Sequence, residues 1–225
     1  MLFDFFDLDM MTIVARLLVL ATSLSVHEWA HAFVAYKLGD DTAYRMGRVT
    51  LNPLVHLDPI GTLMILLLGF GGAKPVEVNP LNFRNHRKGM AAVAFAGPLS
   101  NFILAFITLI IVRVWWRVAL LTGGPSSVTH NAINILYIMA TTNISLGVFN
   151  LIPISPLDGS KVLGAFIVND FYYKMLRYQQ QSYMVLLIVM ATGLASPIIR
   201  FFSVNIFNGL FFLSGFVDMI FNFFV

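Results

Sequence analysis

The sequence contains no cysteine, which excludes a disulfide framework and a thiolate metal site. Charge is almost as scarce: Asp, Glu, Lys and Arg make up 11% of 225 residues, against roughly 25% in an ordinary soluble domain. With 58% of the chain hydrophobic, too little polar surface is left to keep a single core in solution. No Ser- or Gly-rich linker, charge block or internal repeat divides the chain, so one membrane-embedded domain over residues 1–225 is expected. A basic amino-terminal flank is also missing. Asp4, Asp7 and Asp9 precede the first apolar run, so that run reads as a retained helix and not as a signal peptide. The net charge of +3 comes from basic residues flanking apolar runs, which points to topology and anionic lipid headgroups and away from nucleic acid.

What is present is a series of apolar runs near the roughly 20 residues that a bilayer-crossing helix needs. They lie at Met10–Tyr36, Met90–Val112, Ala132–Leu151, Tyr183–Ile199 and Val204–Val225. The expected fold is an all-α polytopic membrane protein of about five transmembrane helices. Between the first two spans, Asn52-Pro53, Asp58-Pro59, Lys74-Pro75 and Asn79-Pro80 mark turns. Short strands are expected there at Arg48–Leu51 and Val76–Val78, with a re-entrant segment at Ile60–Phe70. Ten of the 14 basic residues fall in segments 37–88 and 155–181. The positive-inside rule therefore predicts those segments on the cytoplasmic side and the amino terminus outside, in a multi-pass protein of the cell membrane.

The first run carries His27-Glu28-Trp29-Ala30-His31, an HExxH. Residues four apart share a helix face, so both imidazoles can reach one ion, with Glu28 beside its open coordination position. Zinc takes neutral imidazole nitrogens and lowers the pKa of bound water toward 7, so a neighbouring carboxylate can take the proton. The competing reading is a pair of histidines hydrogen-bonded between helices, but two His and one Glu inside an apolar span are costly to keep without a function. A third protein ligand is needed. Asp158 follows two prolines, Pro153 and Pro156, that break the chain just after the Ala132–Leu151 span, at a depth similar to the histidines. On spacing alone, Asp158 reads equally as a ligand and as part of an Asp-Gly turn.

The early HExxH, the later Asn150-x-x-Pro153-x-x-Pro156-Leu157-Asp158-Gly159 and Ala96-Gly97-Pro98 between them resemble the site-2 protease family of intramembrane zinc metalloproteases, and the run Asn52–Thr62 followed by Ala73-Lys74-Pro75-Val76 resembles a compact branch of it, without PDZ or CBS domains. The resemblance covers roughly residues 12–162, with the spans of 183–225 beyond it. It implies His27, His31 and Asp158 as ligands of one Zn2+, Glu28 as general base, and a transmembrane protein as substrate. Asn150 matches the motif asparagine and reads as a substrate-binding amide or a cap on the broken helix. Asn143, two turns earlier on the same face, reads as part of the same cavity or as a packing hydrogen bond. His56 reads as an ordinary hydrogen-bonded histidine or as support for the site. The Phe-rich tail reads as a lipid-facing surface, with a gating contact or a homo-oligomer interface as the alternative. Two other functions stay open at this level: an inactive homologue that binds membrane proteins, and a zinc transporter.

Overall fold

The computed structural model describes residues 13–14, 17–18, 20–59, 61, 73–167 and 177–224, and they are helical or irregular throughout. A π-helical turn, Leu20–Leu24, leads into α1, Ser25–Lys37, which carries the HExxH. Single π-turns inside α-helices occur frequently at functional sites. Two one-turn helices follow, α2 at Thr42–Arg45 and α3 at Pro53–His56. A 3-10 turn, Pro80–Asn82, then precedes α4, His86–Leu121. The Asn85 side chain opens α4 by accepting the Lys88 N–H at 3.0 Å. Ser126 does the same for α5, Ser127–Asn150, accepting the Thr129 N–H at 3.2 Å.

α4 is the spine of the fold and packs against both α1 and α5. Its buried face runs through Gly89, Val93, Ala96, Gly97, Asn101, Ala105, Thr108 and Val112, at spacings of three and four. Small residues on that face let neighbouring backbones approach closely, as packing inside a bilayer requires. The opposite face exposes Phe95, Leu99, Ile103, Ile107 and Ile111, the pattern of a helix bathed in lipid.

After α5 come α6, Asp158–Leu163, α7, Gln179–Ala191, α8, Ser196–Leu213, and α9, Phe216–Phe224. Ile199 of α8 joins Ala105, Ile144, Val148 and Ala195 in a buried apolar cluster that seats the carboxyl-terminal part on α4 and α5.

Three runs among the described residues are long and apolar enough to cross a membrane: His86–Leu121, Ser127–Asn150 and Ser196–Phe223. The chain is a membrane protein. The first apolar run is helical wherever it is described, and the expected re-entrant segment lies outside the described residues but for its very edge.

Two expectations need correction. Neither Arg48–Leu51 nor Val76–Val78 is a strand. The only β-type pairing among the described residues is one antiparallel bridge, Leu57 to Ala73. The first segment follows a helical turn and bends, and in the second the Val76 N–H is bonded to the Glu28 side chain instead of to a neighbouring strand. The apolar run 183–199 is likewise not one helix. It breaks after Ala191, and α8 starts afresh at Ser196, with Pro197 in its first turn where a missing N–H costs nothing.

Arg113, expected to lie just past the end of a span, continues α4 because its charge is answered from afar. Its guanidinium donates to Asp218 of α9, to Ser214 Oγ at 2.8 Å and to the Phe211 carbonyl at 2.7 Å. Arg117 Nε donates to the other Asp218 oxygen at 2.7 Å. Asp218→Asn leaves two guanidinium groups without their anion. It is expected to cost about 2 kcal/mol, or roughly 5 °C of melting temperature in detergent. An unchanged melting curve would remove this cluster from the account of the fold.

Candidate metal centre

Three side chains from two distant parts of the chain meet beside α4. His27 Nε2 and His31 Nε2 stand 3.0 Å apart, and Asp158 Oδ2 lies 3.2 Å from the first and 3.1 Å from the second. All three residues are buried. The imidazoles arrive as α1 positions four apart, with ring planes at 85°. Asp158 arrives because the chain turns sharply after Asn150 and restarts as α6 with Asp158 in its first turn. Gly159 permits that return, since a Cβ there would meet the Leu151 carbonyl and lie 2.6 Å from the Ile152 oxygen.

The arrangement fits a metal ion better than a set of hydrogen bonds. Each imidazole Nε2 offers either one hydrogen or one lone pair, so three mutual contacts cannot all be satisfied by protons. Atoms bound to one tetrahedral zinc at about 2.0–2.1 Å stand about 3.3 Å apart, a few tenths from the spacing found here. His31 is oriented for that role: its Nδ1–H donates to the Val93 carbonyl at 2.7 Å, which turns the Nε2 lone pair toward the cluster. His27 Nδ1 is buried and has no hydrogen-bond partner among the described residues. Lys161 Nζ stands 3.5 Å from the outer oxygen of Asp158.

Ala96-Gly97-Pro98 acquires a physical meaning that spacing alone does not disclose. A Cβ on Gly97 would fall 2.6 Å from both Cε1 and Nε2 of His27, and closer still to Nε2 of His31. Only glycine lets α4 lie directly on the imidazoles. Pro98 lies inside the helix and has no N–H to donate to the Ala94 carbonyl. Val93, whose carbonyl receives His31, immediately precedes Ala94. The motif names Gly97 without disclosing its role, and it passes over Val93.

Glu28 lies between the two histidines in sequence and is partly exposed, with Oε2 accepting the Val76 N–H at 3.2 Å. Asn143 is buried. Its Nδ2 donates to the Met139 carbonyl at 2.9 Å, and its Oδ1 has no partner among the described residues. Asn150 is half-buried and donates to the Leu146 carbonyl at 3.0 Å. Each thus commits one amide hydrogen to its own helix. His56 is buried, with Nε2 on the Thr50 carbonyl at 2.7 Å, and stays outside the cluster.

Apolar membrane-length helices around two buried imidazoles and a carboxylate define a membrane protein with a metal site. Residues 15–123 and 117–196 match Peptidase family M50, and the chain belongs to that family, the site-2 proteases. It is 38% identical over 184 residues to the "Putative zinc metalloprotease YwhC" of Bacillus subtilis, covering 81% of this chain and 82% of that protein. The "Putative zinc metalloprotease Rip2" of Mycolicibacterium smegmatis is 29% identical over 76% of this chain and 64% of its own length. For the "Zinc metalloprotease MJ0392" of Methanocaldococcus jannaschii the figures are 28%, 69% and 35%, so the chain spans about a third of that relative. No solved structure matches. The chain is a metalloprotease of this family, and its metal is zinc.

Proposed function

We propose that this chain is an intramembrane metalloendopeptidase that hydrolyses peptide bonds in or near transmembrane segments of other membrane proteins. His27, His31 and Asp158 hold the zinc, and Glu28 is the general base. The observation that carries this reading is the three-atom cluster with edges of 3.0–3.2 Å, one residue along the helix from the partly exposed Glu28 carboxylate. When bound there, zinc supplies an acidified water and a Lewis acid for the scissile carbonyl. Glu28 accepts the proton of the attacking water and delivers it to the departing amine, a role suited to a partly exposed carboxylate beside the metal. Asn143 and Asn150 bind the substrate backbone, for which Oδ1 of Asn143, without a partner among the described residues, is a ready acceptor of an N–H.

In this reading the Met10–Tyr36 run and the apolar residues 183–199, broken after Ala191, also cross the bilayer, giving about five spans in one domain. The amino terminus lies outside, and the site opens toward the cytoplasm. The test is zinc content together with cleavage of a single-span test substrate in proteoliposomes, with zinc flux followed in the same vesicles. One zinc per chain with cleavage and no flux is the expected result. Flux without cleavage across a varied substrate panel would overturn the protease reading in favour of transport.

A further inference from the structure

The Glu28 carboxylate is held from outside its own helix. Its hydrogen-bond partner among the described residues, the Val76 amide, belongs to residues 74–79, a stretch with neither helix nor strand. This strap is tied at both ends. At its start, Ala73 bridges Leu57 and the Lys74 N–H donates to the His56 carbonyl at 2.7 Å. At its end, the bonds converge on Asp40. Asp40 Oδ2 accepts the Asn79 N–H at 2.7 Å, and Oδ1 accepts Asn82 Nδ2 at 2.7 Å. The same Oδ1 takes the Thr42 hydroxyl at 2.6 Å and the Thr42 N–H at 3.2 Å.

Asp40 owes its place to the way α1 ends. Gly39 adopts φ +102°, a left-handed conformation that other residues rarely enter. The Gly39 N–H then reaches the Tyr36 carbonyl at 3.1 Å, and the Asp40 N–H reaches that of Ala35 at 2.9 Å. This pair of bonds is the Schellman closure, and it fixes Asp40 rigidly to the helix that carries Glu28. The Asp40 residue is 0% exposed. Burial pushes its carboxyl up, but the hydrogen bonds from Thr42, Asn79 and Asn82 outweigh that and hold it below its ordinary value. Asp40 is therefore charged at neutral pH, and charge-assisted bonds of this kind are the strong ones.

We propose that Asp40 is a positioning residue for Glu28: by pinning the 79–82 turn to the end of α1, it holds the strap where the Val76 amide fixes the catalytic carboxylate. The proposal rests on Glu28 being the base. A glutamate in a wet cleft would otherwise sample several rotamers, and only a narrow range of them suits proton transfer. One amide on Oε2 selects a position and leaves Oε1, which no described residue bonds, for the proton.

The test compares zinc-loaded full-length wild type with Asp40→Asn, Val76→Pro and the double variant, the proline removing the amide hydrogen from a segment outside helix and strand. Asp40→Asn is expected to keep its zinc and its KM and to lose about tenfold in kcat, the equivalent of one charge-assisted hydrogen bond. Val76→Pro should lose as much, and the double variant no more than either. In metal-free protein, hydrogen exchange across residues 74–82 should quicken in Asp40→Asn and stay unchanged in the middle of α1. Independent, multiplying losses in kcat, or wild-type exchange across the strap in Asp40→Asn, would overturn the proposal. If Asp40→Asn does not fold, Asn82→Ala removes one donor from an exposed turn. It should lower kcat about twofold to threefold, as the loss of one bond among several would, and only while the Val76 amide is present; an unchanged kcat would overturn the proposal. Glu28→Gln in the same assay separates the two levels. If Glu28→Gln cleaves normally, the base assignment falls and this proposal with it. If it is inactive while the Asp40 and Val76 losses multiply, only the positioning role falls.

Discussion

Glu28→Gln is expected to retain one zinc per chain and to lose cleavage by about 10³-fold, within the range that a positioned general base contributes. Glutamine matches glutamate in shape and keeps an oxygen that can accept the Val76 amide hydrogen, so the strap contact survives. What it lacks is basicity. The metal should be unaffected, because the three atoms proposed to hold it belong to His27, His31 and Asp158. Zinc content by elemental analysis and kcat for a single-span substrate, measured on the same preparation, check both halves. Cleavage at the wild-type rate would remove Glu28 from the mechanism. Zinc loss would mean instead that the carboxylate shapes the metal site.

The metal cluster was more legible in the sequence than the path of the chain around it. A spacing of four on one helix is enough to bring His27 and His31 together, because helix geometry is local and nearly invariant. Asp158 is 131 residues from His27, and only motif resemblance selects it over an Asp-Gly turn. The role of Gly97 was invisible because the sequence shows what glycine lacks, not what lies against it. Span ends failed for a related reason. Arg113 reads as a boundary when its cost in lipid is counted alone, yet its partner Asp218 lies 105 residues on, in the tail. Strand character at Val76–Val78 reflected side chains suited to extended backbone. No strand forms there: the Val76 N–H runs to Glu28, and the neighbouring Asn79 N–H to Asp40, instead of to a second strand.

Gly97→Ala is expected to weaken zinc binding by about 100-fold, the upper end of what losing the support around a metal ligand costs, although no ligand changes. Propensity alone argues the other way, since alanine in a helix interior is favoured over glycine by about 1 kcal/mol. Contact decides the sign. Ordinary Cβ contacts begin at 3.4 Å, whereas the new methyl would stand 2.6 Å from His27 Nε2. Something must therefore move by nearly an ångström, and metal–ligand distances tolerate only about 0.2 Å. Moving α4 outward offers no escape, because α4 also carries the Val93 carbonyl that holds His31 Nδ1 at 2.7 Å. Relieving the clash would break the bond that orients the second imidazole. Gly209→Ala in α8 is the control: a Cβ there meets nothing within 4 Å, so only the favourable propensity change remains. Zinc competition against a chelator of known affinity reads both variants. If Gly97→Ala binds zinc as wild type does, α4 does not set the geometry of the metal centre, and the close approach at Gly97 serves packing alone.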